Sequence, residues 1–568
     1  MLLAGLALLA ALAFLPYWQV AGFEFLNFDD PLHVSAQPAV LAGLNSDSLR
    51  WAFTATPTNL WHPLTWWSFM AEVEWFGGGA NAPGVHHVGN ALLHAANAAL
   101  FLLLLLALRI RMPVAFAAAL LFALHPLHVE PVAWISARKD LLSVFFSLVA
   151  LLAYARYRAV AQASTGWWLL CLGAVLAAMM SKPVAVVLPF LLILLDFVPA
   201  GPERQARALN TPLWKLLAEK WPFIAMALVL AVISIAAQYG GTLATDIGQQ
   251  GLSSRLQDIP AKLAFYLQRV VWPVGLNFEY ARPEGTRFLL LSLFGLAFLA
   301  AAAWVLLTQA FRRPALWVAL AWFLLALSPM LGIAYVGGDF TTDRYTYLAL
   351  AGPSLGLALW VGTLPKRAGR IAVAILLVLG AAFAWASERQ ARVWKDDLSL
   401  FGRGVEVQPR SAVAHTNLAG AYRMLGDDAA AMTHYRRALE LDGADYIIHF
   451  NIAQIHRRQD DIPAAIAALR ASLASHAQYA RSLSLLGELL DVQAHVAGNP
   501  LLPEALQLRQ RAYMLEPHQY RFAVGYARGL ANRGRFDEAR QVLGTLSGRT
   551  GLSAAQRREV AELLSRFP

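Results

Sequence analysis

Two adjacent carboxylates, Asp29 and Asp30, stand in the stretch Glu24-Phe-Leu-Asn-Phe-Asp-Asp-Pro-Leu-His-Val34, directly after a first apolar run. By themselves they read as a solvated turn closed by Pro31. Behind an apolar segment that crosses a bilayer they stand at the membrane surface, where a carboxylate on a short tether can take a proton from a nucleophile. A second constellation, His125-Pro-Leu-His-Val-Glu-Pro131, offers His125, His128 and Glu130 at the end of another apolar run. Ionisable groups are costly in such places and are usually there for function. Arg138, Lys139, Lys182 and Arg344 follow in connections expected on the same side, while Arg269 reads as an interfacial residue reaching out to water. Arginine and lysine pair well with phosphate. An acid facing these cations suits a reaction between a lipid phosphate and a nucleophile that needs a base. Asp29, Asp30, His125, His128 and Glu130 could also supply nitrogen and oxygen ligands to a divalent ion, although no spacing among them compels a metal. Gly77-Gly-Gly79 lacks the following lysine and the strand context of a phosphate-cradling loop, so no nucleotide site is expected.

The elements that must position these residues follow from composition. The chain has 568 residues, 58% hydrophobic and 14% charged, with mean hydropathy +0.49. A soluble protein carries about a quarter charged residues, so this is a polytopic membrane protein with a more polar C-terminal part. The net charge of +10 does not point to nucleic acid, because many of the basic residues lie in short loops between apolar runs. The single Cys171 excludes an intrachain disulfide. Candidate spans fall near 2–21, 87–108, 113–133, 141–158, 167–181, 184–199, 222–238, 288–308, 315–335, 345–364 and 371–387, about 11 transmembrane helices. The first lacks a basic leader and a clear cleavage site and is expected to be retained. Connections after even-numbered spans carry Arg109, Arg111, Arg156, Arg158, Arg204, Arg207, Lys215, Lys220, Arg312, Arg313, Lys366, Arg367 and Arg370, with only Glu203 and Glu219 against them. That bias marks the cytoplasmic side. The N-terminus is then cytoplasmic, and residues 22–86, with Trp51, Trp61, Trp66, Trp67 and Trp75, form an outer loop of interfacial amphipathic helices.

From Ala386 the composition changes. Trp394-Lys-Asp-Asp-Leu-Ser-Leu-Phe401 leads into a 34-residue period: Leu418, Ala419, Tyr422, Gly426, Ala431, Tyr435 and Ala438 recur as Ile452, Ala453, His456, Asp460, Ala465, Leu469 and Ser472. After Leu486, Gly487 and Leu490 the pattern slips by six residues, and it returns in a unit with Tyr526, Ala527, Leu530, Gly534, Ala539, Leu543 and Leu546. Small and large residues at these spacings let paired helices stack as in tetratricopeptide repeats. The fold expected is all-α: a membrane domain over 1–388, a connector over 389–411 and a repeat α-solenoid over 412–568.

Asn27-Phe-Asp-Asp30, His62-Pro-Leu-Thr65, His86-His-Val-Gly-Asn90 with Leu93-His94, Phe122-Ala-Leu-His-Pro-Leu-His-Val-Glu130, Ser181-Lys182 and Asp343-Arg-Tyr-Thr-Tyr-Leu348 resemble the transmembrane and tetratricopeptide repeat-containing (TMTC) O-mannosyltransferase family. The order of parts is similar too. The resemblance implies a GT-C glycosyltransferase that takes a sugar from a polyprenyl phosphate, with a catalytic acid at Asp29 or Asp30 and basic partners at Arg138, Lys182 and Arg344. In such a reaction the carboxylate deprotonates the acceptor hydroxyl, the cations stabilise the leaving phosphate, and one displacement inverts the anomeric centre. No cofactor is required. The partners implied are the lipid donor, the bilayer and a protein acceptor held by the repeats.

Two other readings compete: transfer to a glycan or lipid, and a non-catalytic membrane-anchored scaffold. The Ala- and Arg-rich composition, with few lysines, points to a bacterial inner membrane with the site and repeats periplasmic. Replacing Asp29 or Asp30 is expected to abolish transfer and leave folding intact, since both lie on a loop. The orientation has its own test. A reporter that works only outside the cytoplasm should be active when fused at residue 568 and silent at residue 206; the reverse pattern would overturn the placement of every candidate residue.

Overall fold

The computed structural model describes residues 2–58, 60–159, 165–198, 212–239, 252–309, 312–332, 340–442, 445–498, 500, 502–547, 552 and 554–566. Glu203, Arg204 and Arg207 of the third basic loop, and 333–339 ahead of Arg344, lie outside these residues. The described elements are helical, apart from an isolated bridge between Tyr280 and Thr341. The chain divides into two compact units, Met1–Arg403 and Gly404–Pro568.

In the first unit, five helices among the described residues are long and apolar enough to cross a membrane: Leu2–Gly22, Pro83–Ala107, Gly285–Thr308, Pro314–Leu331 and Lys366–Trp394. Met112–Leu124 and Pro126–Ala133 make a sixth if their 53° bend lies within one span. The apolar runs at 167–181, 184–199, 222–238 and 345–364 form shorter helices, Thr165–Ser181, Pro183–Asp196, Trp221–Ala237 and Ala351–Gly362. The eleven spans expected from hydropathy are thus five or six by length. Two of the interruptions have a clear cause, because proline lacks an N–H and drives the residue before it out of helical geometry. His125 (φ −66°, ψ 128°) precedes Pro126, and Lys182 (φ −155°, ψ 129°) precedes Pro183.

The stretch between the first two long helices is not a simple surface layer. Trp66, Phe69 and Met70, on helix Pro63–Phe76, pack with Val34, Val40, Ala52 and Ile135 in a buried cluster. Trp75 and Phe76, at the end of the same helix, stay exposed. Helices Pro314–Leu327 and Ala351–Gly362 pack closely: a Cβ on Gly356 would stand 2.5 Å from the Ala319 Cβ and 2.7 Å from the Ala315 carbonyl.

The second unit contains four helix pairs and a final helix among its described residues. The pairs are Ala412–Met424 with Asp428–Leu441, Tyr446–Arg458 with Ile462–Ser475, Ala480–Val496 with Pro503–Leu515, and Tyr520–Ala531 with Phe536–Ser547; Ala554–Arg566 follows. Asp427 and Asp461 cap the second helices of the first two pairs through the Ala430 and Ala464 amides, at 3.0 and 3.1 Å. The repeated turn position needs a positive φ, met by Gly426 (82°), Asp460 (59°) and Gly534 (73°). The six-residue slip has a helical explanation: the third pair opens with a 17-residue helix where the first two open with 13. Much of the extra sequence therefore lengthens a helix, and Pro503 starts the next one.

Gly356→Val should overpack the contact with Ala315 and Ala319 at a cost of about 1–3 kcal/mol. A thermal unfolding midpoint no lower than that of the parent would show that the two helices can separate freely.

Candidate active site

The two carboxylates of the 24–34 stretch do different things. Asp30 is fully buried and accepts three hydrogen bonds, from the Leu26 amide at 2.9 Å, the Ser136 amide at 3.1 Å and the Ser136 hydroxyl at 2.5 Å. Burial raises its carboxyl to about 6, although each of those bonds lowers it. It ties the loop to the turn Ile135–Ala137. The expectation that both aspartates could be replaced without touching the fold therefore fails for Asp30, because its side chain is packed and bonded.

Asp29 uses its main chain for structure: its carbonyl accepts from the Leu32 and His33 amides at 3.0 and 3.1 Å and faces His33 Nδ1 at 3.0 Å. Its carboxylate is half-buried and makes no described hydrogen bond or ion pair. Its charge acts on Lys139, at the mouth of helix Arg138–Ala159, ahead of the apolar run 141–158. Lys139 is 7% exposed and likewise has no described ion pair; its ammonium stands 5.7 Å from the Trp134 ring centre. Burial lowers it to about 8, while Asp29 raises it.

Lys182 and Arg344 also act on Lys139 and complete a basic cluster, but each already holds an acid. Lys182 Nζ lies 2.5 Å from Asp140 Oδ1. Arg344 pairs with Glu130, its backbone amide donating to Oε2 at 2.9 Å and its guanidinium meeting Oε1. The Arg344 guanidinium also stands 5.2 Å from the Trp134 ring centre and 5.2 Å from that of Tyr345. Asp140, Lys182, Arg344 and Tyr347 line one pocket. Thr65 fixes its rim, donating to the Ser181 carbonyl at 3.1 Å. Tyr347 bonds twice to helix Pro83–Ala107, meeting His94 Nδ1 at 2.7 Å and accepting from Asn97 at 3.2 Å.

Arg138 does not join this cluster. Its guanidinium is buried, bonded to Glu72 (2.6 Å), Asn90 Oδ1 (2.7 Å) and the His86 carbonyl (2.5 Å), and lies over the Phe69 ring. Glu72 also meets His86 Nδ1 at 2.5 Å. Gly89 makes room, since a Cβ there would fall 1.9 Å from Glu72 Oε1. Three acceptors, one on each guanidinium nitrogen, tie Arg138 to its neighbours, so it braces the fold.

His125 and His128 are likewise not brought to Asp29. His125 Nδ1 caps the Pro126–His128 turn by accepting from the Leu127 amide at 3.2 Å, and Nε2 faces the Val270 carbonyl at 3.0 Å. His128 is fully buried between Phe122 and Tyr347, with no hydrogen-bond partner on either ring nitrogen. Glu130 serves as the partner of Arg344. The ligand set Asp29, Asp30, His125, His128 and Glu130 is therefore not assembled, and no group of three or more metal-ligating side chains occurs among the described residues. Arg269 lies over the Phe265 and Tyr280 rings. His33, His62 and Trp66 instead stack beside Lys139, with His33 held near 3 by burial and by Lys139. Asp140 and Glu72, absent from the sequence reading, become visible only through their partners.

No family model matches the chain. Among curated proteins, it is 35% identical to Protein O-mannosyl-transferase Tmtc1 of Drosophila melanogaster over 35% of this chain and 24% of that protein. It is 24% identical to Protein O-mannosyl-transferase F38B6.6 of Caenorhabditis elegans over 77% and 62%, and 25% identical to Protein O-mannosyl-transferase TMTC1 of Mus musculus over 77% and 58%. The chain thus spans less than two thirds of the length of these relatives. Among solved structures, yeast Tom70 aligns over 74% of this chain at 13% identity with a TM-score of 0.27, which is too low to argue from. By sequence, the chain is a relative of the TMTC-type protein O-mannosyl-transferases.

Proposed function

We propose that this chain is a membrane glycosyltransferase that moves mannose or a similar hexose from a polyprenyl-phosphate donor to a hydroxyl of a protein acceptor, with inversion and with Asp29 as general base. The observation that carries the reading is the Asp29 carboxylate, which has no side-chain partner among the described residues and acts on Lys139, which has no ion pair among them. A general base needs a lone pair free for the incoming proton, and Asp30 has committed both of its oxygens to hydrogen bonds. Lys139 has no described ion pair to give up to an arriving phosphate, and Lys182 and Arg344 act on it from the same cluster. Their pairs with Asp140 and Glu130 hold two buried cations in place until the phosphate's own charge competes for them. As the hydroxyl oxygen bonds to the anomeric carbon, its proton passes to Asp29 and the sugar–phosphate bond breaks, leaving its charge beside the three cations.

The names of the animal relatives, protein O-mannosyl-transferases, support a protein acceptor. In this reading the helix pairs from Ala412 onward bind that acceptor and raise its concentration near the donor. In this reading the site faces the extracytoplasmic side, periplasmic in a bacterial inner membrane; the basic residues of the connections expected on the other side support that orientation.

Asp29→Asn should lower transfer from polyprenyl-phosphate mannose by about 100- to 10,000-fold while leaving thermal stability unchanged. Asp30→Asn should differ, because an amide nitrogen would face the Leu26 or Ser136 N–H at a cost of about 1–3 kcal/mol. Its unfolding midpoint should fall, and protease should cut the 24–34 loop sooner. Near-parental turnover in Asp29→Asn would end the base assignment.

Lys139 sets an alkaline limit. It carries its charge below its pKa of about 8 and loses it as the pH rises through that value, so donor KM should climb there. Lys139→Arg, which stays charged, should move the climb to higher pH. A parental KM that is flat up to about pH 10 would remove Lys139 from donor binding.

A further inference from the structure

The loop that carries Asp29 is held from two sides, and the second side comes from the far end of the first unit. The Glu24 amide donates to the Lys395 carbonyl at 2.9 Å, and the Asn27 amide donates to Asp397 Oδ1 at 2.8 Å. Phe28, next to Asp29, packs edge-on against Phe401 and Phe278, with ring centres 6.3 and 5.7 Å apart. Trp394 stacks on Trp134 at 5.9 Å and 26°, and Trp134 is the ring shared by Lys139 and Arg344. The segment following the last long helix therefore touches both the loop of the base and the aromatic support of the cations.

The two acids that open the next helix divide their work. Asp396 caps it, accepting from the Ser399 amide at 2.8 Å. Asp397 has no such task, and its side chain reaches across 370 residues of sequence to a backbone amide two positions before Asp29. A carboxylate on a main-chain N–H fixes that peptide plane and hence the direction of the neighbouring side chains. The Asp30 bonds to Leu26 and Ser136 hold one end of the short stretch; without Asp397, Asn27 and Phe28 could turn about that anchor. A reacting group displaced by about 1 Å loses roughly 100-fold in rate.

We propose that Asp397, with Phe401 behind it, is a positioning residue that sets the aim of the Asp29 carboxylate. The proposal rests on the reading of Asp29 as the base. Its test uses the full-length protein in detergent, with undecaprenyl-phosphate mannose as donor and a Ser/Thr-rich peptide as acceptor, and Asp29→Asn run in parallel. Asp397→Ala should lower kcat by about 10- to 100-fold with donor KM within a factor of about two. Asp397→Asn, which keeps an oxygen for the Asn27 amide, should restore most of kcat. Parental kcat in Asp397→Ala, beside an inactive Asp29→Asn, overturns the positioning role and leaves the base assignment standing. Equal loss in the Ala and Asn variants also overturns it, because a role for the acceptor oxygen requires rescue. If Asp397→Ala does not yield a monodisperse protein, Phe401→Leu gives the second measurement: it keeps the Asp397 bond and removes the ring against Phe28. A several-fold fall in its kcat at constant donor KM is expected, and an unchanged kcat overturns the proposal. Full activity in Asp29→Asn would remove the base assignment itself and this proposal with it.

Discussion

The described site depends on a carboxylate buried in a loop. Asp30 is held where water does not reach, and three hydrogen bonds from two separate segments offset the cost of placing it there. Those bonds join the stretch after the first long helix to the turn before helix Arg138–Ala159. Without them, the loop of Asp29 and the mouth of the helix carrying Lys139 and Asp140 would have no polar link at that point. The neighbouring Asp29 can stay uncommitted because Asp30 is fully committed.

The same economy governs the buried cations. Arg138, Lys182 and Arg344 each face an acid, Glu72, Asp140 and Glu130, as a low-dielectric interior demands. These pairs are not equivalent. The Arg138–Glu72 pair is enclosed by Asn90, His86 and Phe69 and serves to lock helices together. The other two line or border one pocket, together with Tyr345 and Tyr347. Lys139 is the exception, with an aromatic face in place of a counter-ion, and burial lowers its pKa accordingly. An unpaired cation beside an unpaired carboxylate is a local imbalance that packing alone would not favour, and such imbalances are characteristic of places where a charged ligand is handled.

The second unit is built from simpler rules. Alternating small and large residues make its helix pairs stack, aspartate caps start its second helices, and a left-handed turn residue separates the partners. Ala453, Ala465, Leu469, Leu483, Ala505 and Ala512 form one continuous core across successive pairs, so the register slip at the third unit is absorbed without breaking the stack.

The sequence by itself determined the class of the protein and the places where its chemistry could sit. Hydropathy set the membrane class and the 34-residue period set the helix pairs, whereas the break at His125, inside the run 113–133 read as one span, appeared only in the structure. What the sequence could not decide was which ionisable side chains meet. Asp29 and Asp30 are adjacent and chemically identical, and only the arrival of Ser136, 106 residues away, separates structural acid from free acid. Arg138 and Lys139 are also adjacent, yet helix geometry turns one to Glu72 and the other to the Trp134 ring. The histidines of the 125–131 segment looked like ligands because charge and spacing are visible in a sequence, while the direction of a side chain is not. Span length is decided in a related way: apolar composition can be read residue by residue, but helix length depends on where the backbone can keep its hydrogen bonds, and five or six of the described helices are long enough by that measure. Pairings across such distances are set by packing of the whole unit, and only the tertiary structure decides them.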